Sequence, residues 1–121
     1  MQRFGAGKKE TEFAKLLWEK GTMRSGEAVR LCADVFGWKK STTYTFLRRL
    51  CERGIFQNVD SVVTPLMTEE EYCVSVAEAI LKDKFDGSLP LFMEIMTKHY
   101  KLSEEDRKKL IAMIEEVTPT D

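Results

Sequence analysis

The stretch Trp38-Lys39-Lys40-Ser41-Thr42-Thr43-Tyr44-Thr45-Phe46-Leu47-Arg48-Arg49-Leu50-Cys51-Glu52-Arg53-Gly54 decides how this chain is read. Wound at about 100° per residue, it places Thr43, Phe46, Leu47, Leu50 and Cys51 on one face, which is a core face. Ser41, Thr45, Arg48 and Glu52 lie opposite, flanked by Thr42, Tyr44 and Arg49. The helix is expected to be capped near Ser41 and to stop where Gly54 follows Arg53. Its outer face carries small hydroxyls at the N-terminal end and arginines further along, preceded by Lys39 and Lys40. That order suits a helix entering the major groove of DNA. Short hydroxyl side chains there bond base edges or touch thymine methyls, and the surrounding cations neutralise phosphates. The helix N-terminus itself favours an anion. An ordinary solvated helix carries similar charges, so the chemistry alone leaves both readings open.

Upstream, Phe13, Leu16 and Leu17, with Trp18 beside them, mark a helix from about Glu10 to Lys20, closed by Gly21. A second helix is expected from Ser25, read as its N-cap with Glu27 in the first turn. It carries Ala28, Val29, Cys32, Val35 and Phe36 on its apolar side and ends at Gly37. Downstream, Ile55-Phe56-Gln57-Asn58-Val59 and Val62-Val63-Thr64-Pro65 flank the turn signal Asp60-Ser61, which suggests a small β-hairpin. Three helices followed by a hairpin is the order of a winged helix-turn-helix.

After Pro65 the chain becomes acidic and helical. Thr68 before Glu69-Glu70-Glu71 is an N-cap with negative charge at the positive end of a helix dipole. The helix that follows bears Tyr72, Val76, Ile80 and Leu81 and stops near Phe85-Asp86-Gly87. Another holds Leu89, Phe92, Met93, Ile95, Met96 and Tyr100. Ser103 and Asp106 resemble a capping box that opens a last helix with Leu110, Ile111, Ile114 and Val117. These helices cannot bury their apolar faces alone. They pack either on the preceding domain or on a second copy of the chain, and two-fold homodimers are the commonest soluble oligomers.

The composition narrows the chemistry. The 121 residues are 43% hydrophobic and 32% charged, enough for one domain with an appendage and unlike a disordered chain. No run approaches ~20 apolar residues, and Met1–Gly7 is too short and polar for a signal peptide, so a cytoplasmic location is expected. Cys32, Cys51 and Cys73 are odd in number, far apart and in no Cys-x-x-Cys pair, which speaks against a disulfide framework or a zinc site. His99 is the single histidine, no Gly-x-Ser-x-Gly turn or phosphate loop is present, and neither an enzyme nor a cofactor is expected. The net charge of −1 hides an asymmetry: residues 1–64 hold 12 Lys and Arg against 7 Asp and Glu, while residues 65–121 hold 7 against 13. An anionic partner suits the first half only.

The tryptophan-to-glycine stretch resembles the W-x-x-x-T-x-x-T-x-L-x-R-L-x-x-[KR]-G signature of the penicillinase-repressor family of winged-helix repressors. Thr64-Pro65, then Glu69-Glu70-Glu71 and Tyr72, is similar to that family's junction between wing and C-terminal helices, and the likeness spans about residues 10–117. It implies a homodimer that binds a two-fold-symmetric operator with one recognition helix per half-site. Carried over by position, Thr42, Thr45 and Arg49 fall on motif positions. Thr42 and Thr45 are then base or phosphate contacts, and Arg49 is a phosphate contact or an internal ion pair. Tyr44 stands where relatives often have Gln, which implies a different base preference.

The chain also departs from that pattern. Its hairpin is about four residues shorter than usual, with no Lys or Arg at the tip Val59-Asp60-Ser61. Met93-Glu94-Ile95-Met96 stands in place of the Asn-Phe pair at which penicillinase repressors are cleaved. The cysteine-rich tail of the copper-responsive members is absent.

The expectation is therefore a mainly α chain with a small β-hairpin. Residues 8–67 form a winged helix that binds double-stranded DNA through Lys39, Lys40, Ser41, Thr42, Tyr44, Thr45, Arg48, Arg49 and Arg53. Residues 68–118 dimerise through Tyr72, Val76, Ile80, Phe92, Ile95, Met96, Leu110 and Ile114. The inducer, or a protease that would release the repressor, is not legible. The rival reading is a winged-helix module that has lost specific DNA binding and docks a protein through its Tyr44/Arg48 face.

Overall fold

The computed structural model describes residues 7–120, which divide into two compact units, one ending at Ile80 and one beginning at Leu81. The first unit opens with helix α1 (Lys8–Lys20), strand β1 (Met23–Arg24), helix α2 (Ser25–Phe36) and helix α3 (Lys40–Glu52). Strands β2 (Phe56–Val59) and β3 (Val62–Pro65) follow, and then the larger part of helix α4 (Glu69–Lys84). The winged helix-turn-helix order expected from the sequence is present, as is the hairpin.

Turn chemistry closes the hairpin. Asp60 and Ser61 sit at φ 51° and 62°, the left-handed pair that a two-residue turn needs to match the twist of its strands. Val59 faces Val62 and Phe56 faces Pro65 across the ladder. The sequence reading missed β1, which pairs antiparallel with β3 through Met23–Val63 and Arg24–Val62, so the sheet order is β1-β3-β2. The wing is thus tied to the start of α2: the Ser25 N–H donates to the Ser61 carbonyl at 2.9 Å.

The core of this unit draws on the stripes read off the sequence, except that Val35, expected on the apolar side of α2, is 53% exposed. Phe13, Leu17, Ala28, Cys32, Leu47, Leu50, Ile55, Phe56 and Val63 are buried, and each large apolar side chain contributes about 1.5–3 kcal/mol. Trp38 is the aromatic hinge between α2 and α3, with ring centroids 4.6 Å from Phe36, 4.7 Å from Phe46 and 5.6 Å from Phe13. Gly37 makes the break before it, at φ 70°, its N–H donating to the Ala33 carbonyl.

Two expected caps are corrected. The N-cap of α2 is Arg24 and that of α3 is Lys39, neither with a side-chain capping bond. Ser25 is already the first helical residue, is 5% exposed, and its hydroxyl accepts from Tyr44. Ser41 lies one residue inside α3, where its carbonyl accepts from the Thr45 hydroxyl.

The start of α4 belongs to the first unit. Thr68 and Glu71 form a reciprocal capping box: the Thr68 N–H donates to Glu71 Oε1 at 2.9 Å, and the Glu71 N–H donates to Thr68 Oγ1 at 3.0 Å. Trp18 Nε1 donates to the Met67 carbonyl at 3.0 Å, and the Tyr72 ring lies 5.7 Å from the Trp18 ring. Tyr72, expected in a dimer contact, is therefore half-buried against α1.

In the second unit α4 ends, Asp86 and Gly87 turn the chain through left-handed conformations, and the Gly87 N–H donates to the Leu81 carbonyl. Helix α5 (Leu89–His99) is capped by the Ser88 hydroxyl and helix α6 (Glu104–Glu116) by that of Ser103. Phe85 and Phe92 meet edge to face at 5.0 Å. No described residue from Leu81 onward is buried, and Ile95, Ile111, Met113, Ile114 and Val117 are exposed.

Candidate nucleic-acid interface

Helix α3 is held by its inner face and presents the rest. Thr43, Leu47 and Leu50 are buried, with Phe46 and Cys51 packed at the margin. Thr43, a polar group at 0% exposure, is satisfied through the Lys39 carbonyl at 3.5 Å and the Cys32 thiol. Burial pushes the Cys32 thiol up, against the smaller pull of the Thr43 hydrogen bond. Burial also raises the Cys51 thiol, against a backbone hydrogen bond at Asn58 and with a small push from Glu52. Both thiols therefore stay protonated, and poorly reactive, near neutral pH.

At the N-terminal end of α3 the chain arrives extended through Lys39, and the first intrahelical bond runs from the Thr43 N–H to the Lys39 carbonyl. The N–H groups of Lys40, Ser41 and Thr42 precede that bond and point out of the helix end, where an anion is favoured. Lys39, Lys40 and Ser41 are exposed and Thr42 is half-exposed. Among the described residues, neither the Ser41 nor the Thr42 hydroxyl is engaged by another side chain. Thr45 differs: it is half-exposed and its hydroxyl donates to the Ser41 carbonyl at 2.9 Å, which uses its proton and leaves the oxygen able only to accept.

Tyr44 is pinned across the helix-turn-helix. Its hydroxyl donates to Ser25 Oγ at 3.2 Å, and Lys40 Nζ lies 6.0 Å from its ring centroid. It ties the start of α2 to α3 and is itself 36% exposed.

The arginines split into two groups. Arg48 is 69% exposed and meets only the equally open Glu52, at 3.7 Å. Arg49 and Arg53 turn to α1. Arg53 Nε donates to Glu10 Oε2 at 3.0 Å, and Arg49 Nη1 lies 3.6 Å from Glu10 Oε1 with its guanidinium 5.2 Å from the Phe46 ring. Arg49, left open between a phosphate contact and an internal ion pair, lies within ion-pair distance of Glu10 with its side chain 49% exposed. Arg53, expected among the phosphate contacts, is likewise engaged by Glu10.

Glu10 is a residue beside this face that the sequence reading missed. Its side chain is only 4% exposed. The available signal was its register, since it shares the face of Phe13, Ala14 and Leu17 on α1.

The wing adds no positive charge: residues 56–65 include no Lys or Arg. An open depression between α3 and β2 is lined by Tyr44, Leu47, Arg48, Cys51, Gln57 and Asn58, among others. Among the described residues no group of three His, Cys, Asp or Glu could hold a metal ion, and no helix is long and apolar enough to cross a membrane.

Sequence comparison agrees with this architecture. The penicillinase repressor family matches residues 6–116. The penicillinase repressor of Bacillus licheniformis is 23% identical over 111 residues, covering 88% of this chain and 87% of that protein. With a family match over nearly its whole length and a winged helix-turn-helix in its first unit, the chain belongs to the penicillinase repressor family of DNA-binding transcriptional repressors.

Proposed function

We propose that the protein represses transcription as a homodimer that occupies a two-fold-symmetric operator and occludes a promoter. Helix α3 enters the major groove of each half-site, and the two recognition helices sit about 34–36 Å apart. Ser41, Thr42 and Thr45 face the base edges, while Lys39, Lys40 and Arg48 contact the phosphates on either side. The residues from α1 to β3 bind DNA, and the helices beyond them pair the protomers. The observation that carries this reading is the outer face of α3, where free hydroxyls and exposed cations converge on an open helix N-terminus. Pairing is supported by the exposed Ile95, Ile111 and Ile114 on helices that bury no residue of their own unit.

A second reading has one observation in its favour. Asp60 at the wing tip opposes phosphate, which suits a module whose Tyr44/Arg48 face docks a protein. Fluorescence anisotropy on duplex DNA from the gene's own upstream region, beside a scrambled duplex, at about 50 and 200 mM salt, separates the two. Tighter binding to the upstream duplex at both salts supports the repressor. Binding to neither duplex overturns it in favour of the protein-docking module.

A further inference from the structure

Glu10 lies on α1, to which the DNA-binding account assigns no base or phosphate contact. It is the only buried acidic residue among those described, and both of its carboxylate oxygens face guanidinium groups from α3. Burying a carboxylate at 3% exposure is costly unless its charge is matched, and two arginines from one helix match it. The pairing has a geometric result. Arg49 and Arg53 are one helical turn apart, so gripping both locks the rotation of the C-terminal half of α3 about its own axis. It has an electrostatic result as well. Two of the five cations on and around α3 pair with an internal anion while their side chains stay 49% and 37% exposed, and Lys39, Lys40 and Arg48 are the ones that no buried anion engages.

Resting on the DNA-binding reading above, we propose that Glu10 is a positioning residue for DNA recognition. Its carboxylate clamps Arg49 and Arg53, sets the angle at which α3 is presented, and keeps both guanidiniums off the phosphates. The clamp trades sequence-independent affinity for discrimination. Phosphate contacts raise binding to every sequence, whereas a fixed helix angle raises only those contacts that fit.

The test is the salt dependence of binding, measured on full-length protein with an operator duplex and a scrambled one. Each phosphate contact steepens the slope of log K against log salt by about 0.9. A purely structural role for Glu10 does not move that slope. In Glu10→Gln the amide is neutral and the guanidiniums are released. With one new contact from each protomer, the expected result is a slope steeper by at least about 1.8, with tighter binding to the scrambled duplex and a smaller ratio between the two duplexes.

The triple variant Glu10→Gln/Arg49→Gln/Arg53→Gln removes the buried charge together with its partners and so avoids stranding an ion. It is expected to keep the wild-type slope. A triple variant whose slope falls by about 0.9 or more for each arginine lost overturns the proposal, as does a folded Glu10→Gln protein with an unchanged slope. If Glu10→Gln fails to fold, the triple variant decides alone. Wild-type protein that binds no duplex overturns the DNA reading itself and the clamp with it.

Discussion

Arg48→Ala isolates the electrostatic part of operator binding. The side chain is 69% exposed and its single ion pair, to Glu52 at 3.7 Å, is between two open groups. Such a pair contributes about 0.3–0.5 kcal/mol, so the fold and its melting temperature should barely change. The effect on DNA is larger. Lys39, Lys40 and Arg48 from two protomers make roughly six phosphate contacts, for a slope of log K against log salt near −5.4. Raising salt from about 50 to 200 mM then costs about three powers of ten in affinity. Removing Arg48 from both protomers brings the slope to about −3.6 and the loss to about two powers of ten. Titrations by anisotropy at four salt concentrations, on operator and scrambled duplexes, give both slopes. The variant should weaken the two duplexes by a similar factor. A variant that keeps the wild-type slope, or that weakens the operator alone, refutes the assignment of Arg48 to phosphate.

Three further outcomes follow from single contacts. Thr45 spends its proton on the Ser41 carbonyl, so it reads bases through its methyl and lone pairs. Thr45→Ala should change the ranking of operator variants by about 1–3 kcal/mol at one base pair per half-site, while Thr45→Val should disturb it less; uniform weakening across operators by either variant contradicts this. The Thr68 N–H, and then its hydroxyl, hold the Glu71 carboxyl below its ordinary value. A lowered folded value means that the stabilisation is present above the unfolded range near 4.3 and is lost as pH falls through the folded value. The Thr68 amide resonance should therefore titrate below pH ~4.3, and Glu71→Gln should abolish that titration. Ile111 and Ile114 are 42% and 67% exposed, so Ile111→Asp/Ile114→Asp should leave the helix content unchanged. It should halve the mass seen by sedimentation equilibrium, and a variant that stays dimeric removes α6 from the interface.

What the sequence showed of the fold follows local rules. The stops at Gly37 and Gly54 are legible because each residue adopts a positive φ that glycine alone takes freely. The Asp60-Ser61 turn is legible for a related reason, since short polar residues tolerate the left-handed region. Strand β1 was hidden because two residues carry no alternation, and only pairing with β3 makes Met23–Arg24 a strand. Ser25 looked like a cap by type, yet Tyr44, 19 positions away, takes its hydroxyl. The site shows the same division. The α3 face was readable from its wheel, but the fate of Arg49 and Arg53 was not, because it depends on a carboxylate 39 and 43 positions earlier.

The central claim, that a pair of α3 helices reads the major groove, is met most directly by dimethyl sulfate protection on the operator duplex, which reports guanine N7 in that groove. The account predicts two protected patches whose centres lie about 10 base pairs apart on one face of the duplex, and whose pattern changes when Thr45 is replaced by Ala. Bound DNA with every guanine N7 open, or with a single patch, would contradict it.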